Sequence, residues 1–259
     1  MLQSTYLPQT QQLLQNPAAP TSLYAPALLT SYINTARGQL AGEGMCIRTI
    51  GTLQTVAGQR AYSFSSLNLG VASTTGIQGA ININTIWVTV GNGQAWIRPR
   101  SWEWFGLYHL NNSIPTQAQP QLWSQFGQGA APPGATAGSS FGGSIYLDPI
   151  PDQAYMLNCD CTCYPISLKA DTDVEAIPYL WTDAVPFFAA YYALLSSQTS
   201  MRIRDAGEML KMYEMFVARA RRAANPMVLN TIYQQSENLF RQAKIGGGGQ
   251  GMQPQGGGP

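Results

Sequence analysis

The segment from Ser144 to Arg222 limits the fold most tightly, because its hydrophobic period changes there from two to about 3.6 residues. Ser144–Leu147 carries Ile145, Tyr146 and Leu147 and reads as a short strand. Pro149-Ile150-Pro151-Asp152 turns the chain back, since proline presets φ and aspartate tolerates turn geometry. Ala154–Tyr164 returns as a second strand, with Tyr155, Leu157, Cys159, Cys161 and Cys163 alternating onto one face. An acidic spacer, Asp171–Ala176, then leads to helical sequence. Ile177–Pro178 marks the start of the helical region, because a residue before proline avoids the α conformation. Trp181 to Leu195 is apolar nearly all round, which predicts a buried helix that Pro186 kinks or restarts. Ser200 caps the next helix, where Ile203, Ala206, Leu210, Tyr213, Val217 and Ala220 recur at spacings of three and four. That spacing is an apolar seam for packing on another helix. Pro226 breaks it.

Upstream, Met1–Ser22 is rich in Gln, Pro, Asn and Ser and reads as an extended arm. Pro26 suits a first helical turn, and Leu28, Leu29, Tyr32, Ile33, Ala36 and Leu40 follow with helical spacing until Gly42 and Gly44. From Met45 the period becomes two. Ile47–Val56, Ala61–Phe64 and Ala80–Val90 read as strands, and Gly91-Asn92-Gly93 as a hairpin turn into Gln94–Pro99. Trp102, Trp104, Phe105 and Tyr108 open a less regular stretch. Gly127–Gly143 is a Gly/Ala/Pro/Ser loop without charge, too long for a simple connection. Met227–Lys244 offers a weaker helical stripe through Leu229, Ile232, Leu239 and Ala243, and the Gly/Gln/Pro-rich end cannot build a core. The fold class expected is therefore α+β. Residues 1–22 make an extended N-terminal arm, 23–44 and 176–225 a helical bundle, 45–168 an inserted antiparallel β-sandwich-like domain, and 226–259 a C-terminal helix and flexible tail.

Charged residues make up 10% of the 259-residue chain, against about 25% in ordinary soluble domains. Residues 1–36 carry no charged side chain, and 104–147 only His109. So bare a surface predicts coverage by other subunits. Net charge is +1, which excludes a strongly basic nucleic-acid binder. Asp148–Asp183 holds seven acidic residues against one lysine, whereas 202–222 holds six basic against three acidic. Opposite patches on one chain suit protein-to-protein contact, and Arg219, Arg221 and Arg222 also complement a helix C-terminus. No apolar run reaches the ~18 residues of a membrane span, and the N-terminus lacks the basic and apolar regions of a signal peptide. The protein is expected to be made and assembled in the cytoplasm.

Catalytic chemistry finds little footing. His109 stands without a nucleophile motif. Asp148 and Asp152 could be paired carboxylates, but they bracket a Pro-Ile-Pro turn where aspartate has a local hydrogen-bonding job. No P-loop, H-E-x-x-H or dinucleotide fingerprint is present. The C-x-C-x-C run of Cys159, Cys161 and Cys163 has spacing too tight for structural zinc, and parallel Cβ vectors do not suit mutual disulfides, so these thiols and Cys46 are read as reduced apolar residues. No enzyme activity, metal or cofactor is expected.

The Pro149–Tyr155 turn, the Ile177–Ala184 helix start and the Glu208–Arg221 helix with its Ala-Arg-Ala-Arg ending resemble head-to-tail adaptor (connector or neck) proteins of tailed, podovirus-like bacteriophages. The resemblance runs from about Thr49 to Arg222 and is strongest in its last third. It implies a virion structural protein whose identical subunits, twelve by family, form a ring beneath the portal, lengthen the DNA channel and offer the tail a platform. Its implied partners are further copies of itself, the portal protein, and nozzle or other tail proteins. Genomic DNA would pass through without specific binding, and no membrane is involved. Helices would face the portal and the β-domain the tail. C-terminal segments of such adaptors lie against the portal, so Ile232, Tyr233, Leu239, Phe240 and Arg241 are the expected portal-binding residues. The charge-free loop, with Gly127, Ala130, Gly134, Ala137 and Gly143, is the expected tail-facing element. A competing reading is a carbohydrate-binding β-sandwich that stacks sugars on Trp102, Trp104, Tyr108 and Trp123.

Overall fold

The computed structural model describes residues 3–16, 23–90, 93–108, 116–129, 142–196 and 200–224. The chain divides into two compact units, Met1–Arg221 and Arg222–Pro259. The elements belong to the first, and the described part of the second is the last helical turn through Ala224.

Helix α1 spans Gln3–Leu13, so these residues are helical and not an extended arm. The sequence lacks a long apolar stripe, and Pro8 lies inside the helix. Tertiary contacts hold it instead. Tyr6 and Thr10, one turn apart, are both buried, and Leu7 packs against the core. Buried Asn16 then accepts the Leu23 N–H at 2.8 Å and donates to Tyr24 O at 3.2 Å, fastening the end of α1 to the residues that lead into the next helix.

Helix α2 spans Pro26–Gly44 and buries Leu29, Ile33, Ala36, Arg37, Leu40 and Ala41 on one face. Pro26 occupies the first turn, where its missing N–H costs nothing. Gly42 lies inside the helix and Gly44 is its last residue; the left-handed residue that ends it is Met45, at φ 50°. Gly44 has another role: a Cβ there would stand 3.3 Å from Ala220 Cβ, so glycine permits a close approach of two helices.

The strands of the described residues lie between Arg48 and Pro165: β1 Arg48–Gln54, β2 Ala61–Ser63, β3 Ile77–Val90, β4 Gly93–Pro99, β5 Leu122–Phe126, β6 Ser144–Asp148 and β7 Met156–Pro165. They form one curled sheet in the order β1-β7-β3-β4-β5-β6-β2, where the sequence reading expects an antiparallel sandwich. The cause lies in β4. It pairs antiparallel with β3, and its end, Arg98 and Pro99, pairs parallel with Leu122 and Trp123 of β5. One strand thus joins two stretches of sheet. Register shifts within the β3–β7 ladder, after Ile77, Ala80 and Ile83, strengthen the local twist.

A short helix, α3, covers Ala72–Thr75. Helix α4, Trp102–Tyr108, occupies the stretch expected to be irregular. Ser101 starts it, accepting the Trp104 N–H through its hydroxyl and the Phe105 N–H through its carbonyl. Trp102 then packs on Phe126 and Tyr146, with ring centres 4.7 Å away in both cases.

Helix α5, Ala184–Ser196, is buried along most of its length. Pro186 falls in its first turn and so breaks no intrahelical bond. Helix α6 spans Ser200–Ala224. Helices α1, α2 and α5 pack on one another, and α2 also packs against β7. No helix among the described residues is long and apolar enough to cross a membrane.

Candidate assembly surfaces

A buried polar lock fixes the helical side to the spacer that leads into α5. The Arg37 guanidinium donates to both Glu175 carboxylate oxygens, at 2.9 and 2.7 Å, and to Ile166 O at 2.6 Å and Asn34 Oδ1 at 3.2 Å. Glu175 also accepts from the Tyr6 hydroxyl and the Ile177 N–H, each at 2.9 Å. The Arg37 and Glu175 side chains are 1% and 5% exposed. Burial, then the Glu175 carboxylate, push the Tyr6 hydroxyl well above its ordinary pKa. One pair therefore ties α1, α2 and the 166–177 spacer together. The signal for it in the sequence is that Arg37, the first charged side chain, sits on the apolar face of a helix; the reading of helical spacing alone passed over it.

The α6 seam is buried at Ala206, Tyr213, Val217 and Ala220. Tyr213 packs tilted against Phe188 with ring centres 4.3 Å apart and donates to Glu43 Oε2 at 3.1 Å, while Phe187 stacks with Phe216 at 5.9 Å. Arg221 donates to Glu43 O at 2.9 Å. Leu210 is half-buried, and Ile203 is 51% exposed, so the seam begins one turn later than its spacing predicts.

The two ends of the Gly127–Gly143 segment are pinned to each other and to the sheet. Gly129 N donates to Ile81 O at 2.8 Å, Gly143 N to Gly129 O at 2.6 Å, and Phe64 N to Gly143 O at 2.9 Å. Gly127 and Gly129 have φ of +73° and +80°, conformations that suit glycine. A Cβ on Gly143 would overlap the buried Phe64 ring, and one on Gly127 would approach Gly142 O at 3.3 Å. Gly127 and Gly143, two of the expected loop residues, are thus brought together. Ala130, Gly134 and Ala137 lie outside the described residues, as do Ile232, Tyr233, Leu239, Phe240 and Arg241.

Beside these pinned ends, where β4 and β5 diverge, lies a cleft of about 530 Å³ lined by Asn82, Ile83, Arg100, Trp102, Trp123 and Gln125 among others. The described aromatics of the sugar-stacking reading, Trp102, Trp104 and Trp123, are otherwise engaged, and the Tyr108 side chain lies outside the described residues. Trp123 is 4% exposed, Trp102 is committed to Phe126 and Tyr146, and Arg100 covers the Trp104 ring at 4.9 Å.

The residues with chemical potential have structural tasks. Asp152 accepts from the Tyr155 hydroxyl at 2.8 Å, and Asp148 stands 3.9 Å from Arg60. Cys159, Cys161 and Cys163 line the buried face of β7, and burial pushes the thiols of Cys161 and Cys163 up to about 12. Burial likewise raises the half-buried Cys46 to about 11. Among the described residues no group of three or more His, Cys, Asp or Glu could hold a metal ion.

The acidic run is not a free patch either. Asp148 faces Arg60, Asp160 pairs with Arg48, Glu175 with Arg37, Asp152 accepts from Tyr155, and Asp173 accepts the N–H groups of Lys169 and Ala170. At least five of the seven acidic side chains are therefore engaged within their own fold. Helix α6 also carries exposed charge, with Glu208 and Arg219 among it.

No curated protein matches this chain. A family model does, described as SU10 adaptor protein and matching residues 6–237, a span that takes in helices α2–α6 and the whole sheet. The chain belongs to the SU10 adaptor protein family, a family of bacteriophage structural adaptors.

Proposed function

We propose that this protein is the head-to-tail adaptor of its phage: a ring of identical subunits beneath the portal, which extends the DNA channel and gives the tail its attachment platform. The observation that carries this reading is the family match across residues 6–237, spanning helical and β portions alike. The composition supports it, since long charge-free stretches suit surfaces covered by neighbours. A ring around passing DNA gains nothing from a strongly basic chain, and the net charge is +1. Its stoichiometry is taken as twelve from the resemblance. The C-terminal residues Ile232, Tyr233, Leu239, Phe240 and Arg241 dock on the portal, and the Gly127–Gly143 segment meets the tail protein. The sugar-binding reading loses support from the burial of Trp123.

Electron microscopy of the purified protein, with and without portal rings, tests the proposal. Added density as a ring on one face of the portal is the expected result, and truncation after Pro226 should abolish it while leaving a folded chain. If full-length protein adds no density to portal rings, the portal reading fails. If the truncated chain still joins them, the assignment to the C-terminus fails.

A further inference from the structure

The outward face of α6 carries a pattern the adaptor role does not require. Glu208, Met212, Met215 and Arg219 follow at spacings of four, three and four, which places them along one stripe of the helix. All four are exposed, the two methionines by 38% and 43%. At about 100° per residue the stripe lies opposite the buried line of Ala206, Tyr213, Val217 and Ala220, so the chain's own core does not cover it. Its order is acid, methionine, methionine, base. That order is self-complementary in one orientation only. Against an antiparallel copy centred midway between positions 213 and 214, Glu208 faces Arg219, Met212 faces Met215, and each relation occurs twice. In a parallel pairing Glu208 would meet Glu208 and Arg219 would meet Arg219, which repels.

We propose that this face docks on the same face of a second copy of the chain, as an antiparallel two-fold pair with Met212 and Met215 at its centre. The occupant follows from the charge order: only a helix with the reverse order of charge and the same methionine spacing satisfies both ends, and the chain supplies one. Methionine suits such a contact because its flexible thioether adapts to a neighbour's shape. The stripe is about 17 Å long at about 1.5 Å rise per residue, so the contact is small, reversible and weakened by salt. Glu208 already contacts Lys211 at 2.9 Å on its own helix, but exposed pairs of this kind hold weakly and yield to a better partner. A two-fold contact closes at two copies, whereas a ring is built from head-to-tail contacts. The pair is therefore a state of the free chain, separate from any ring.

Sedimentation equilibrium of the full-length protein from about 10 µM to about 1 mM, at about 50 mM and about 500 mM salt, tests this. The wild type should show a monomer–dimer equilibrium that weakens at high salt. Glu208→Arg alone and Arg219→Glu alone should each weaken it by about tenfold or more, since each turns two attractions into two repulsions. An equimolar mixture of the two variants should recover the wild-type affinity. In the mixed pair one chain presents a base at both positions and the other an acid at both, so each of the two cross-pairs is attractive again. Both positions are exposed, so far-UV circular dichroism should be unchanged. A wild type that stays monomeric throughout, an association insensitive to both reversals, or a mixture no tighter than either variant would each overturn the proposal. Portal binding is a separate readout: its loss would bear on the adaptor reading alone.

Discussion

Replacing Glu175 by alanine should be among the most damaging single changes available outside the apolar core. Arg37 would keep Ile166 O and Asn34 Oδ1, both neutral, and lose its carboxylate partner while 1% exposed. Breaking one side of a buried ion pair costs about 3–5 kcal/mol, because the remaining charge is stranded away from water. The Tyr6 hydroxyl and the Ile177 N–H would lose their acceptor in the same step, each worth about 1 kcal/mol, though losses at one site do not add fully. A total of about 4–5 kcal/mol, divided by a urea slope of about 3 kcal/mol/M, lowers the unfolding midpoint by about 1.5 M. Equilibrium urea unfolding followed by tryptophan fluorescence measures it directly.

The companion variant separates charge from shape. Arg37→Met with Glu175→Leu removes both ions and keeps their volume, so the stranded charge disappears and only Tyr6 and a few backbone groups stay unsatisfied. Replacing a whole buried pair by apolar residues is often neutral or stabilising by about 1–4 kcal/mol. The double variant should therefore recover most of the loss. If Glu175→Ala moves the midpoint by less than about 0.3 M, or if the double variant is weaker than the single, the lock is not what holds α1 and α2 to the spacer.

Other outcomes follow from the same contacts. Tyr213→Ala should cost about 3–5 kcal/mol of stability through the cavity beside Phe188, whereas Ile203→Ala, at the exposed start of the seam, should fall within about 0.5 kcal/mol; thermal or urea unfolding distinguishes them. Gly143→Ala should cost about 1–3 kcal/mol by forcing the Phe64 ring aside, and Gly143→Ala with Phe64→Leu should recover part of it. The Cys161 and Cys163 thiols have folded pKa values raised to about 12 from 9.0, so their stabilising contribution is complete below pH 9 and lost as pH rises toward 12. The urea midpoint should decline through that window, and at pH 8 the folded protein should leave all three buried β7 thiols unreacted with a thiol reagent. Deleting Ala130–Ala137 should spare folding and reduce tail attachment, scored as fully tailed particles by electron microscopy; a normal yield of tailed phage carrying the deletion would remove the loop from the tail interface.

What the sequence disclosed and what it hid divide along a physical line. The β6–turn–β7 segment was legible because period-two alternation and a proline turn are local signals, and Leu157, Cys159, Cys161 and Cys163 are buried as their parity demands. Most of the α6 seam was legible for the same reason. Helix α1 was not, since its hold comes from Tyr6 reaching Glu175, 169 residues away, and no composition of Gln, Thr and Pro announces a partner at that distance. Sheet closure was hidden likewise: alternation tells which side of a strand is apolar, but not that β4 pairs at its end with a parallel neighbour. Charge misleads over Asp148–Asp183 for a related reason. The net count there includes side chains that the fold engages through Arg37, Arg48, Arg60, Tyr155 and two backbone N–H groups. Charge along a sequence marks a surface only after those long-range partners are subtracted. On α6 the subtraction leaves an ordered remainder, with Glu208 at one end and Arg219 at the other, and there a pattern of charge can still choose a partner.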